Sequence, residues 1–411
     1  MAMVLPGVAL SDSILTPLIN ENTVATPLFM GFTPTELTPP LRQVTSLTEA
    51  AEALGDSGIL YHSLRHFFDN GGFNCFVLSL GMIDEVDPVA ALNSALQNPQ
   101  LAEIITAEPT VSLLAIPEIR SLNVKPGDGN DDDDKPGTFV DDLLFWQQSW
   151  QALLLLCQRC GNLFALLDTP DDPTLLHQLC TSFSASNLQD AAAWWPALQT
   201  QYHDDVADDG SFMVLSPVAA VAAAIQCNDR QNGIWCAPAN IALAKVVRPT
   251  LTPVDGQMLL NDDGIPLNLI RSFPGKGVRL WGCRTLLNDS GSPWRYIQTR
   301  LLVNRVEKQL GELARVYLFE PNNALTWMKL KGQAWNWLRQ QWLAGAFYGS
   351  RESDAFSLSV GLGESMTQED IIAGKMVMSV SLALLAPAEF IDIRLVFDTQ
   401  NGALNASTAG E

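Results

Sequence analysis

From Ala25 to about residue 245 the chain alternates short, almost unbroken apolar runs with stretches that carry a helical period. Pro27 to Phe32 reads as a strand leading into a turn, and Leu47–Leu54 and Ile59–Phe68 read as helices. The second helix meets Asn70-Gly71-Gly72, a helix-ending signal. Next come a strand over Cys75–Leu80, a helix over roughly 88–105, and a strand over Val111–Ile116 closed by Pro117. A long helix over 139–160 precedes a strand over Asn162–Leu167. A helix is expected near 186–200, then a strand at Ser211–Leu215 and a helix through Ala219–Ile225. A strand apolar along its whole length must be buried on both faces. Alternation of such strands with helices therefore predicts a largely parallel sheet covered on both sides.

The ends of the chain have a different texture. Residues 1–24 hold Pro6, Gly7 and Pro17 among many Ser, Thr and Asn, show no period, and read as an arm. From 275 to 411 the pattern is mixed. Leu302, Val306, Leu310 and Leu313 mark one face of a helix over 298–314, and a second helix runs from Ala324 to Phe347, stopped by Gly349. Met376, Met378, Val380, Leu382 and Leu384 alternate with small or polar residues, as a strand with one buried face should. After Pro387 a second alternating run places Ile391, Ile393, Leu395 and Phe397 on one side and Asp392 and Arg394 on the other. These elements predict an α+β unit, with a loose tail after Asn401.

Composition excludes several functions. The 24 Lys+Arg and 45 Asp+Glu give a net charge of −21, which argues against nucleic acid as a partner. No apolar run reaches the roughly 18–20 residues of a membrane span, so no membrane insertion is expected. The opening MAMVLPGVALSDS has no basic segment followed by an apolar one, so the expected place of synthesis is the cytoplasm. Seven scattered cysteines do not form a disulfide framework.

Reactive constellations are sparse. Cys157 and Cys160 form a CxxC, but no second pair follows, and Leu153–Leu156 before them reads as a buried helix end. His62 and His66 have the i, i+4 spacing of a shared metal without the glutamate of HExxH, so half-buried or surface histidines are the preferred reading. Ser272-Phe-Pro-Gly-Lys-Gly277 fails the phosphate-loop pattern and precedes a strand rather than a helix. Gly361-Leu-Gly363 is too short for a dinucleotide fingerprint, and there is no GxSxG. The run Asp131–Asp134 lacks the alternate spacing of a calcium loop and reads as a solvated charge run. No catalytic residue, metal or cofactor is expected. An α/β enzyme using the CxxC or the SFPGKG loop is the remote alternative.

The extended termini instead suit strand donation to neighbouring sheets. At this point a series of segments resembles the contractile phage tail sheath proteins. Pro6-Gly7-Val8 and Thr26-Pro-Leu-Phe-Met-Gly31 are similar to that family's opening. Phe67-Phe-Asp-Asn-Gly-Gly-Phe-Asn-Cys-Phe-Val77 is similar to its FFxNGGxxCYVV passage, and Leu166-Leu-Asp-Thr-Pro170 to a strand end of the form LD.P. Gly233-Ile-Trp-Cys-Ala-Pro-Ala-Asn240 resembles GVWKAPAN, with Cys236 where Lys is usual. Leu260-Asn261 through Gly264-Ile-Pro266 follows, and Gly277-Val-Arg-Leu-Trp-Gly-Cys-Arg-Thr-Leu286 resembles G.R.WGARTL, with Cys283 where Ala is usual. Trp294-Arg-Tyr-Ile297 through Arg300-Leu-Leu302, Phe319-Glu-Pro-Asn-Asn323 with Trp327, and Pro387-Ala-Glu-Phe-Ile391 complete the series in the family's order.

The resemblance implies a two-domain sheath subunit: an N-terminal arm over 1–24, an outer α/β domain over 25–274, and an inner α+β domain over 275–411 with a C-terminal strand arm. It implies no enzyme activity. Subunits would stack as hexameric rings around an inner tube in a metastable extended state and contract to drive the tube through a target envelope. Partners would be further copies, sheath paralogues, the inner tube, the baseplate and a terminator or cap. The inter-subunit strands would be Val8 to Leu10, the run from Met376 to Leu384 and that from Ile391 to Phe397. Tube-facing candidates are Glu364, Glu369, Asp370 and Lys375. At 411 residues the chain resembles the compact sheaths of extracellular contractile injection particles of the antifeeding-prophage, virulence-cassette and R-type pyocin kind. Such particles assemble in the bacterial cytoplasm before release. A paralogue confined to the baseplate-proximal or collar ring is the alternative to a main sheath subunit.

Overall fold

The sheet grows outward from Thr26–Gly31 (β1), every residue of which is buried. In chain order there follow Leu41–Val44 (β2), Leu47–Leu54 (α1), Ile59–Asp69 (α2), Cys75–Ser79 (β3), Pro88–Gln97 (α3) and Pro99–Ala107 (α4). Next are Val111–Ala115 (β4), Ile119–Leu122 (α5), Asp142–Cys160 (α6), Phe164–Leu167 (β5), Pro173–Ser182 (α7) and Ala191–Trp195 (β6). Then come Leu198–His203 (β7), Phe212–Leu215 (β8), Val218–Asn232 (α8), Val246–Pro249 (β9), Asn268–Phe273 (β10) and Gly277–Trp281 (β11). The last third holds Ile297–Arg315 (α9), Ala324–Leu343 (α10), Glu352–Ala355 (α11), Phe356–Val360 (β12), Gln368–Ile372 (α12) and Met378–Leu382 (β13). Two strands close the chain, Ile393–Phe397 (β14) and Leu404–Thr408 (β15). This computed structural model describes residues 24–386, apart from 35–36, 83–87, 123–141, 204–210, 253–263 and 318, together with 393–397 and 404–408.

Eight strands form one sheet in the order β11-β10-β6-β5-β4-β1-β3-β2. The strands from β10 to β3 in that order run parallel, and the two edges, β11 and β2, are antiparallel. Because side chains alternate across a strand, a continuous apolar run feeds two cores at once. Leu28 and Met30 enter one core with Phe145, Trp150 and Leu176 from α6 and α7. Phe29 enters the other with Leu64, Phe67, the alanines of α8, and Leu302 and Leu310 of α9. Every residue of α8 from Val218 to Gln226 is buried. Its run of alanines lets the helix lie close to the strands beneath it, which longer side chains would hold away.

The second core continues into the C-terminal elements, where Leu330, Trp337 and Leu338 of α10 meet Phe356, Leu358 and Val360 of β12. Helix α9 is fixed to the α/β block by two ion pairs, Arg300–Asp190 at 2.8 Å and Arg305–Asp229. Strands β12 and β13 pair antiparallel, with Leu358 opposite Val380.

Several expected elements differ. The helix over 88–105 is two helices, because Asn98 caps a new start by accepting the Gln100 amide and Pro99 takes the first helical position. The expected helix near 186–200 is a short 3-10 turn followed by β6 and β7. Ala191–Trp195 has helix-compatible composition, but all five residues fill a buried slot beside β5, so tertiary burial overrides propensity. Phe212–Leu215 lies outside the main sheet, in a three-stranded antiparallel sheet ordered β8-β7-β9. The helix from Ala324 ends at Leu343 rather than before Gly349, since Gly345 turns the chain at φ 96°. The tail expected to be loose after Asn401 contains β15, paired with β14.

Candidate assembly surfaces

In open parallel sheets the place for chemistry is the crevice at the carboxyl ends of the strands where the order reverses. Here that point lies between β1 and β4, because β3 follows β1 on the opposite side. Among the described residues, Glu118 stands there. Glu118 accepts the amides of Phe32, at 2.9 Å, and of Leu60 in the first turn of α2. Helix α2 has no side-chain cap of its own, so this carboxyl takes the position a bound phosphate would take in a nucleotide site. Burial pushes the Glu118 carboxyl up to about 7 despite both amides.

Beside it, Arg120 donates to both oxygens of the fully buried Asp168 at 2.8 and 3.0 Å, to Asp171 at 3.2 Å and to the Thr169 carbonyl at 2.8 Å. Among the described residues, the Glu118 and Arg120 side chains at this end of the sheet are thus taken up by internal bonds. Sequence reading missed Glu118 and Arg120, whose partners lie tens of residues away.

The other candidates for chemistry resolve into packing. Cys157 is buried and Cys160 half-buried at the end of α6, and burial raises both thiols, the reverse of what a nucleophile or metal ligand needs. His62 and His66 are both buried, against the expectation of half-buried or surface positions, and both lie against the Tyr202 ring. The Ala244 carbonyl lies 3.2 Å from His66 Nε2, and burial brings that imidazole down to about 4. Among the described residues no group of three metal-ligating side chains occurs, and no helix is long and apolar enough to cross a membrane. The Ser272–Gly277 loop is the tight turn joining β10 to β11. Asp131–Asp134, Leu260-Asn261 and Pro387–Ile391 lie outside the described residues.

The expected inter-subunit strands are placed in part. Val8, Leu10 and Ile391 lie outside the described residues. Met378, Val380 and Leu382 occupy alternate positions of β13, and with Met376 and Leu384 they pack partly buried against the core while Ser379 and Ser381 face out. Ile393, Leu395 and Phe397 lie in β14, opposite Thr408, Ala406 and Leu404. Among the described residues, strands β13 and β14 do not pair with each other; each belongs to a separate two-stranded sheet and carries a ladder on one side only.

The four tube-facing candidates cluster near α12. Glu364 is held by Lys331 Nζ at 2.8 Å, which lowers its carboxyl. Asp370 caps α12 with Thr367, and the amide and hydroxyl of Thr367 lower its carboxyl. Glu369 and Lys375 are exposed. The neighbouring helix α10 carries Lys329, Lys331 and Arg339 with no acidic residue, and exposes Leu325, Met328 and Leu343.

The recurrent sequence motifs mark turning points of the chain. Gly71 has φ 88°, and a Cβ on Gly72 would lie 2.4 Å from the Phe67 ring. Asn70 joins α2 to the Ala244 peptide, accepting from its N–H at 2.8 Å. Asn323 caps α10, while Asn322 Oδ1 accepts from Trp327 Nε1 at 2.7 Å. These residues build corners.

Buried polar groups tied to one another, a sheet packed on both faces and, among the described residues, two separate two-stranded sheets make up the C-terminal and central parts of the fold. No protein-family model and no curated protein matches the chain. Among solved structures, a chain in the contracted baseplate of the anti-feeding prophage is 52% identical with TM-score 0.85, over 97% of this chain and 100% of that one. A chain of the PVC sheath complex, from an extracellular contractile injection system in the contracted state, is 25% identical with TM-score 0.70, over 97% and 99%. A chain of the contracted helical sheath of the anti-feeding prophage is 27% identical with TM-score 0.68, over 92% and 94%. The chain belongs to the contractile tail sheath family and is a structural component of the contractile injection system type.

Proposed function

We propose that this protein is a specialised sheath subunit of an extracellular contractile particle, sited in the ring next to the baseplate. The observation that carries this reading is a contrast within one particle. Identity to one chain in the anti-feeding prophage baseplate is 52%, against 26% to another chain of that baseplate and 27% to a chain of its helical sheath. A main sheath subunit would be expected to resemble the helical sheath at least as closely. The match to the helical sheath over 92% of this chain supports the second reading, a main sheath subunit.

In either place the mechanism is the family's. Residues 25–274 form the outer domain and 275–411 the inner one. Segment 1–24, through Val8 and Leu10, and the strands from Met376 to Leu384 and Ile391 to Phe397 extend sheets of adjacent subunits. Two-stranded sheets whose strands, among the described residues, each carry a ladder on one side only are suited to such addition. The arms hold while other contacts exchange, so the extended lattice shortens without coming apart. The inner tube meets the region of Glu364, Glu369, Asp370 and Lys375, where ion pairs screened by solvent let go readily. Assembly in the cytoplasm with tube, baseplate, cap and sister sheath proteins precedes release.

The test is negative-stain electron microscopy of the purified protein alone, with a tagged copy located in the whole particle. Monomers or single rings, with the tag at the baseplate end, are expected. Long tubes from the protein alone, with tags along the whole particle, would overturn the placement in favour of a main sheath subunit.

A further inference from the structure

The peptide at Ala25 is held at both of its polar ends. Its N–H donates to Asp229 Oδ2 at 2.7 Å, and its carbonyl accepts from Gln226 Nε2 at 3.0 Å. Gln226 and Asp229 stand one turn apart on the same face of α8. Gln226, fully buried, also donates to the Asn74 carbonyl at 2.7 Å and accepts the Phe73 amide at 3.0 Å. The next amide along, Thr26, donates to Ser112 Oγ at 2.9 Å.

The Asp229 carboxylate does a second thing. Its side chain is 4% exposed, and both oxygens meet the Arg305 guanidinium of α9, one at 3.0 Å. A neutral acceptor would satisfy the Ala25 amide as well. Only a carboxylate offers enough lone pairs to take that amide and the guanidinium fork together, through charge-assisted bonds. A buried carboxylate without such partners would be costly. One side chain therefore joins three pieces: the main chain at Ala25, α8 of the α/β block, and α9 of the C-terminal part.

We infer that Asp229 is the anchor of the N-terminal arm, a positioning residue that fixes where residues 1–24 leave the subunit. The inference rests on the reading of residues 1–24 as a strand-donating arm. Its reason is register. A donated strand that slips by one residue turns all its side chains to the wrong face. Slack of one or two residues at the root would therefore spoil the addition at the tip. The joint to Arg305 also passes load on the arm into both helices rather than into a single turn of chain.

The experiment uses the full chain, with Asp229→Ala, the double variant Asp229→Leu/Arg305→Met, and a chain lacking residues 1–20. The double variant removes both charges, so it leaves no unpaired buried ion and keeps the subunit folded should the single one fail. In the purified subunit, exchange of the Ala25 amide is expected to quicken about tenfold or more, the loss of one buried hydrogen bond. Co-expressed with the other particle proteins, both variants are expected to enter sheath rings as poorly as the shortened chain. An Ala25 amide that stays as slow as in the natural chain overturns the anchor. Fast exchange with normal incorporation, while the shortened chain fails, overturns the inference and leaves the arm reading standing. Normal incorporation of the shortened chain overturns the arm reading itself.

Discussion

The carboxyl at the sheet's reversal point makes a quantitative prediction. Glu118 has an ordinary value of 4.5 and is pushed up to about 7 by burial. A carboxyl raised in the folded state favours folding fully below its unfolded value, and that contribution is lost as pH rises through the folded one. At about 1.4 kcal/mol per pH unit, the span from 4.5 to about 7 amounts to a loss of about 3 kcal/mol across that window. His66 acts in the opposite sense. Burial lowers it from 6.5 to about 4, so its contribution is present above pH 6.5 and lost as pH falls toward 4. Between about pH 4.5 and 6.5 the two slopes oppose each other and the natural chain should look nearly flat.

Glu118→Gln separates them. The variant cannot titrate at this site, so its stability should fall steeply on acidification from pH 6.5 to 4 through His66 alone. The stability difference between natural chain and variant should drift by about 3 kcal/mol in the variant's favour from pH 4.5 to 7. Unfolding followed by tryptophan fluorescence at closely spaced pH values measures both. A difference independent of pH would refute the argument, because it would mean that Glu118 keeps an ordinary carboxylate value while accepting two amides.

Three further perturbations follow from named contacts. Arg120→Met strands the fully buried Asp168 carboxylate and is expected to cost about 3–5 kcal/mol, with Arg120→Met/Asp168→Asn recovering part of it; denaturant unfolding measures both, and a single-variant cost below about 1 kcal/mol would count against the network. Gly72→Ala puts a methyl group 2.4 Å from the Phe67 ring and should cost about 1–3 kcal/mol, seen as a lowered midpoint of unfolding; an unchanged midpoint would mean that the ring moves aside freely. Cys157→Ser, which buries a hydroxyl, is expected to cost about 1–3 kcal/mol, while Cys160→Ser changes stability by less and neither alters metal content measured by mass spectrometry.

How far the sequence reveals this molecule depends on where a residue's partners lie. The strands β1, β3, β4 and β5 are legible because burial on both faces writes itself as a continuous apolar run. The helix stop at Asn70-Gly71 is legible because the signal is local. Ala191–Trp195 is not, since alanine and tryptophan carry no period and the decision to form a strand is made by the neighbour β5. Gly345 and Gly349 both turn the chain at positive φ, and only packing determines which of them ends α10. Glu118, Arg120 and Asp229 are wholly illegible. Their partners stand 86, 48 and 204 residues away, and nothing in a local pattern distinguishes them from surface charges.

The same reasoning explains why the family can be read where the address within a particle cannot. The recurrent motifs are corners: the Gly71-Gly72 turn, the Gly233 stop after α8, the Asn322-Asn323 start of α10. Corners are set by backbone geometry that the fold itself requires, so they report the fold and not the ring a subunit occupies. Position along a sheath is decided instead by what a subunit touches, and contact is made by exposed side chains the fold does not constrain. Leu325, Met328 and Leu343 on α10, with Ile372 on α12, are such residues, apolar and 59–78% exposed in a chain whose charge would otherwise keep its surface wet. Exchanging them for the residues of a sister sheath should leave stability within about 0.5 kcal/mol. If the baseplate-proximal placement is right, the exchange should move the subunit along the particle.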